Sequence, residues 1–208
     1  MTPVLHQHPF ASFCQKVLIA FYELDLPFET VLVEGREEHL KLWPLGTIPV
    51  LVDGEQVLPE STTIIEYLGG LVPGDAGAAL EARLWDRFAD TQLSTPMQKI
   101  VGDELRPDGG RDPVGVAGAR AALDTAYGVL DARLADRPWA GGETFTIADC
   151  ATFPPLFYLR AIQRWDHPHI TRYYRALLAR PSIARVVDEA RPYRELFPLP
   201  WPADQDDV

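Results

Sequence analysis

The chain is poor in cysteine, in positive charge and in long apolar runs. Two cysteines, Cys14 and Cys150, occur in 208 residues; they are too few for a disulfide framework and fit a reducing compartment. Lysine and arginine number 19 against 30 acidic residues, a formal net charge of −11, which sets nucleic acid and anionic membranes aside as partners. No apolar run is long enough to cross a bilayer. The opening Met1-Thr2-Pro3-Val4-Leu5-His6 has no basic stretch leading into an apolar core, so no signal peptide is expected and the expected location is cytoplasmic. A glycine-rich phosphate loop and a nucleophile elbow are both missing, and His6, His8, His39, His167 and His169 show no metal-ligand spacing with the cysteines, so no metal is expected.

What is present is an ordinary globular composition, 47% hydrophobic and 24% charged, organised around residues 46–68. Asp53-Gly54 between two short apolar runs signals a hairpin. From Ile64 the apolar spacing turns helical, with Glu60 and Ser61 at the entrance. Upstream, Val4-Leu5-His6 reads as a strand and Ser12 to Glu23 as a helix carrying Val17, Leu18 and Phe21. Residues 28–33 read as a second strand, and 34–41 as a short or irregular helix. The order is βαβαββα, a small mixed sheet with helices packed on it.

Composition shifts at Val72-Pro73-Gly74-Asp75-Ala76-Gly77, so residues 1–71 are expected to form one domain, 72–78 a linker and 79–208 a second domain without strands. A long helix is expected from Ala78 to about Gly102, with Leu80, Leu84, Phe88 and Gln92 on one stripe. A mobile loop is expected over 103–113, and a second long helix from Val116 to Ala135 with Leu123, Tyr127, Leu130 and Leu134 inward. Thr146 and Asp149 resemble a capping box, with Phe145 stapled onto Cys150. The helix they open should be largely buried and, through Pro154-Pro155, kinked or extended in its first turn. Helices near 170–179 and 183–189 complete the domain, and the tail from Phe197 is expected to be extended or frayed.

Three places could carry chemistry. Ile48-Pro49 opens a strand; if the bond is cis, the N–H and carbonyl of Ile48 face outward and could pair with a peptide, whereas a trans proline would mark only a turn. Glu60-Ser61 fits two readings, a helix cap or an acceptor for an ammonium beside donors for a carboxylate, which suits an α-amino acid end. In Phe10-Ala11-Ser12-Phe13-Cys14, first-turn N–H groups and the Ser12 hydroxyl could hold a thiolate, while Ser12 could equally cap the helix. Lowering a thiol pKa from about 8.5 to about 6.5 takes roughly 2.7 kcal/mol, within reach of two hydrogen bonds to charged sulfur. Cys14 itself reads as a small buried side chain.

Phe13-Cys14-Gln15-Lys16-Val17, the run from Trp43 to Leu51, the run from Leu58 to Leu68 and Phe145-Thr146-Ile147-Ala148-Asp149 together resemble the cytosolic glutathione transferase superfamily, over nearly the whole chain. The resemblance implies a thioredoxin-like N-terminal domain, an all-α helical C-terminal domain and a homodimer. It implies that Pro49 is the cis proline, that Ile48 pairs with the cysteinyl backbone of glutathione, and that Glu60 and Ser61 hold its γ-glutamyl end. Thr146 and Asp149 match the family's folding cap. Ala11 stands where many members place the thiolate-binding Ser, and Cys14 matches only the second cysteine of a Cys-Pro-x-Cys turn. Thr47 stands where several classes carry Gln or Lys.

The expected activity is therefore a transfer, of the detoxifying kind, in which bound glutathione is the co-substrate and its thiolate attacks a small hydrophobic electrophile held between the domains. Ser12 is the expected thiolate stabiliser, and the loop near Phe10 with the first two long helices is the expected electrophile wall. One alternative is a non-catalytic glutathione-binding or regulatory protein of the same fold, which Ala11 favours. Another is a glutathione-dependent isomerase, whose Ser-Ser-Cys turn aligns here with Ala11-Ser12-Phe13.

Overall fold

The structure, a computed structural model, describes residues 2–107 and 109–201. Asp108 in the segment read as a mobile loop, and the tail beyond Trp201, lie outside the described residues. The N-terminal elements fall in the expected order: β1 (Val4–Gln7), α1 (Ser12–Glu23), β2 (Glu29–Leu32), α2 (Arg36–Leu42), β3 (Val50–Asp53), β4 (Gln56–Pro59) and α3 (Ser61–Leu68). The sheet runs β2-β1-β3-β4. β1 and β2 are parallel, as a crossover through α1 requires, and β1/β3 and β3/β4 are antiparallel. This is a thioredoxin-like arrangement. β2, at the edge, leaves all four of its residues exposed.

The hairpin differs by one residue from its expected placement. Asp53 pairs with Gln56, so Gly54 and Glu55 are the two central residues. Gly54 has φ +60° and Glu55 is not among the positive-φ residues, the pattern of a type II′ turn, which puts glycine first.

The helical part comprises α4 (Ala76–Phe88), a π-helical segment (Ala89–Ser94), α5 (Thr95–Glu104), α6 (Pro113–Leu134), α7 (Ile147–Ile162), α8 (Pro168–Leu178), α9 (Pro181–Ala190) and a 3₁₀ segment (Arg191–Leu196). α4 starts within the segment read as a linker, with Asp75 accepting the Ala78 N–H at its N-cap. The leucine stripe does not face the core: Leu80 is 70% and Leu84 56% exposed. The buried face is instead Ala79, Ala82, Asp86 and Ala89, because α4 lies against the buried α7 and small side chains permit close approach. The expected loop lies between the two helices, trimmed at both ends: α5 runs to Glu104, the described residues from Leu105 to Asp112 are turn or irregular, and Asp112 caps α6 through the Gly115 N–H. In α6, Leu123, Tyr127, Leu130 and Leu134 are buried as expected.

α7 carries its capping box: Ala148 N–H donates to Thr146 Oγ1, and Thr146 N–H donates to Asp149 Oδ2 at 2.8 Å. Asp149 Oδ1 also accepts from the Ala140 N–H at 2.8 Å and from the Tyr173 hydroxyl at 2.7 Å. Burial pushes the Asp149 carboxyl up to about 6 against those hydrogen bonds. The helix is buried from Ile147 to Leu159 and continues through Pro154 and Pro155, so the extended first turn is not seen.

α1 is the element the two parts share. Residues Cys14 to Phe21 are all buried, with α3 of the N-terminal part and α7 and α9 of the helical part packed against the helix. A helix covered all round is normally apolar all round, yet α1 carries Gln15 and Lys16 inside, 0% and 1% exposed. Lys16 Nζ lies 2.7 Å from Asp86, 2.8 Å from Asp90 and 2.8 Å from Thr62 Oγ1, tying α1 to α3, to α4 and to the π-helical segment after it. Burial, set against the Lys16 charge, holds Asp90 above the usual carboxylate range. Removing one member of a buried ion cluster strands the others without solvent or counter-charge. Lys16→Met should therefore lower unfolding stability by about 3–5 kcal/mol, read from urea denaturation; an unchanged midpoint would show that the cluster carries no such weight.

Candidate active site

The Ile48-Pro49 bond is cis, as expected, at the entry to β3. Pro49 is buried and Ile48 half-buried. Among the described residues no hydrogen bond engages the Ile48 N–H or carbonyl. The preceding residue is held from the other side: His39 Nε2 lies 2.7 Å from the Thr47 carbonyl, and the Trp43 indole N–H donates to Thr47 Oγ1 at 3.1 Å. The side chain of Thr47 is thus turned to its own loop.

Ser61 does not cap α3, contrary to the expectation. Glu60 occupies the N-cap position, with φ +70° and ψ 118° and no side-chain cap bond, and Ser61 is the first helical residue. The consequence is chemical: the first-turn N–H groups of α3 have no side-chain acceptor, next to a buried hydroxyl and an exposed carboxylate. Glu60 keeps an uncommon backbone conformation for a residue with a Cβ.

Ser12 likewise is not a cap. Ala11 sits at the N-cap of α1 with no side-chain bond, and Ser12 is half-buried in the first turn. Among the described residues its hydroxyl has no hydrogen-bond partner. The loop before it is fixed from inside α1 and from α7: Gln15 Nε2 donates to the Pro9 carbonyl at 3.0 Å and to Tyr158 Oη at 3.0 Å, and the Tyr158 hydroxyl donates to the Phe10 carbonyl at 2.9 Å. Cys14 is fully buried and its thiol is pushed up to about 12 by that burial, which makes it a packing residue and not a nucleophile.

These residues border two adjoining clefts. One, of about 590 Å³, is polar and takes Ile48, Pro49, Glu60, Ser61 and Thr62 on one side and Arg83, Asp86, Arg87 and Asp90 on the other. The second, of about 600 Å³, is apolar and has no charged residue in its lining; Phe10, Ala11 and Ser12 face Met97, Val101 and Leu105 of α5 and its end. Phe13, Thr47 and Ile48 belong to both. Of the two long helices expected to wall an electrophile, α5 lines this apolar cleft and α6 does not; Tyr158 of α7 and Leu196, Phe197 and Pro198 complete its lining. Far from fraying at Phe197, the chain stacks that ring on Tyr158 at 5.7 Å and sets Trp201 against Phe10 and Phe157.

Gln15 and Tyr158 left a sequence signal, as polar groups within runs otherwise apolar. His39 and Trp43 left none, since both meet Thr47 in the loop after α2, His39 at its carbonyl and Trp43 at its hydroxyl. No group of three or more metal-ligating side chains occurs among the described residues, and no described helix is long and apolar enough to cross a membrane.

A thioredoxin-like domain presenting an open cis-proline loop, joined to a helical domain that adds an apolar cleft beside it, is the class of protein so defined. Residues 5–76 match the glutathione S-transferase N-terminal domain family and residues 113–176 the glutathione S-transferase C-terminal domain family. Glutathione S-transferase GstB of Escherichia coli K12 is 31% identical over 191 residues, covering 83% of this chain and 91% of that one. The crystal structure of a glutathione S-transferase from Methylobacillus flagellatus KT, with glutathione bound, superposes with a TM-score of 0.83 at 27% identity, covering 89% of this chain and 98% of the other. A Methylobacterium radiotolerans glutathione S-transferase in complex with glutathione sulfonate gives 0.80 at 27% identity, covering 90% and 95%. The chain belongs to the glutathione S-transferase family.

Both cysteines are free, buried and held well above ordinary thiol pKa values by burial. A chromogenic disulfide reagent at pH 8 should therefore titrate no thiol in the native protein and two after unfolding. Rapid labelling of Cys14 in the native protein would reopen protein-thiol chemistry at the first turn of α1.

Proposed function

We propose that the protein transfers glutathione, as its thiolate, to small, apolar, uncharged electrophiles. The observation that carries this reading is the meeting of a polar and an apolar cleft at Phe13, Thr47 and Ile48, beside a Ser12 hydroxyl that has no hydrogen-bond partner among the described residues. Glutathione lies along the polar cleft. Its cysteinyl backbone pairs with Ile48 at the Pro49 turn, Ser61 and the free N–H groups of α3 take the γ-glutamyl carboxylate, and Glu60 takes its ammonium.

The sulfur is then delivered to the first turn of α1. Ser12 donates its hydroxyl to the thiolate, with first-turn N–H groups beside it; a hydrogen bond to a charged group is worth ~1.5–3 kcal/mol. That favours loss of the thiol proton to solvent near neutral pH. The thiolate attacks the electrophile from the apolar cleft, a carbon–sulfur bond forms, and the leaving group departs with its bonding pair. An uncharged lining gives no counter-ion to an anionic electrophile, so neutral substrates are preferred.

The domain division at 1–71 and 79–208, a cytoplasmic location and a detoxifying role form part of the same reading. So does a homodimer. Leu80 and Leu84, one turn apart on α4, are exposed, apolar surface of the kind that subunit contacts cover. A second reading, a glutathione-binding protein without useful catalysis, draws support from Ala11, where a side-chain hydroxyl is missing from the N-cap of α1.

Passage over immobilised glutathione followed by an aryl-halide conjugation assay separates the two. Retention with conjugation supports the transferase, retention alone the binding protein, and no retention removes both. Ser12→Ala should lower kcat ~10–100-fold while changing glutathione KM by less than about twofold; an unchanged kcat would move the role to backbone N–H groups. Sedimentation should give twice the chain mass for the parent and the single-chain mass for Leu84→Glu, and a monomeric parent would refute the dimer.

A further inference from the structure

His39 was read as one of five histidines without a metal pattern, and the proposed chemistry leaves it unused. It is 4% exposed, and the only hydrogen-bond contact of its side chain among the described residues is Nε2 to the Thr47 carbonyl, at 2.7 Å. A carbonyl oxygen only accepts, so Nε2 carries a proton and donates it; Nδ1 is buried without a partner among the described residues. The Thr47-Ile48 bond is not among the cis bonds. In a planar trans peptide the C=O and N–H point in opposite directions. A donor holding the Thr47 carbonyl on the α2 side therefore aims the Ile48 N–H away from α2, at the seam where both clefts meet.

The surroundings make this grip specific. The Trp43 N–H donates to the His39 carbonyl at 2.9 Å and the Trp43 indole holds the Thr47 hydroxyl, so α2 clamps Thr47 at two atoms. Thr47 is exposed, and no sheet hydrogen bond fixes it, because β3 begins at Val50. Without the imidazole the Thr47-Ile48 peptide is free to rotate, and water satisfies the carbonyl in several orientations.

We infer that His39 is a positioning residue for glutathione: its Nε2–H sets the plane of the Thr47-Ile48 peptide and so presents the Ile48 N–H to the co-substrate backbone. The inference rests on the glutathione cleft proposed above. His39 touches neither reactant, so its loss falls on glutathione binding and leaves the chemical step alone. A glutamine places an amide nitrogen near the Nε2 position; an asparagine is one methylene short and reaches only the Nδ1 position.

The experiment compares parent, His39→Gln, His39→Asn and His39→Leu by glutathione calorimetry and by steady-state kinetics with an aryl halide. Each variant is first checked for an unchanged circular dichroism spectrum. The expected result is a glutathione Kd and KM raised roughly three- to tenfold in the Asn and Leu variants, with kcat and the aryl-halide KM within about twofold of the parent and with His39→Gln close to the parent. If His39→Leu does not fold, the Gln and Asn variants, which differ mainly in where the amide donor sits, decide the matter alone. Equal glutathione affinity in Gln and Asn, or equal change in both KM values, overturns the inference. A parent that binds no glutathione overturns the proposed function itself, whereas a binding parent with indifferent variants overturns only the role of His39.

Discussion

A buried ammonium holds this molecule together. Lys16 sits in a helix that both halves of the chain enclose, within 2.8 Å of a hydroxyl from α3 and of two carboxylates, one from α4 and one from the π-helical segment after it. Taking such charges out of water costs several kcal/mol per ion before their attraction is counted. The arrangement therefore tolerates little relative displacement of the elements that supply it. α3, whose first turn borders the polar cleft, and α4, which forms the opposite wall, are held in one geometry by the same cation. The rigidity of the proposed co-substrate site is in this sense a by-product of satisfying one lysine.

A similar economy governs the apolar side. Gln15, next in sequence to Lys16, is buried by the same enclosure and finds its partners in Pro9 and Tyr158. Tyr158 then reaches the carbonyl of Phe10. The loop that leads into Ser12 is thus fastened both from its own helix and from the helical domain. A displacement of α7 would be felt at the first turn of α1 through two hydrogen bonds, without any change in the residues that face the reactants.

Much of this was legible in the sequence because local rules sufficed. The hairpin, the capping box of Thr146 and Asp149, and the buried character of α7 follow from turn chemistry and periodicity, and the cis bond at Pro49 followed from resemblance. What was misread depended on distant partners. The leucines of α4 have good helical spacing, but the buried face of the helix is made of Ala79, Ala82 and Asp86, so Leu80 and Leu84 point outward. Ser61 and Ser12 look like caps, yet in both cases the residue before them takes that position. The role of the tail was hidden for the same reason: nothing near Phe197 in sequence reveals that Tyr158 is waiting for its ring.

The two clefts share only Phe13, Thr47 and Ile48, and of these Phe13 alone offers a large side chain from a helix. Its ring is a party wall. Under the proposed function, reshaping it to suit one reactant reshapes the space left for the other. Val101, Leu105 and Leu196 border only the apolar room, so changes there would alter that room while leaving the proposed thiol end as it is.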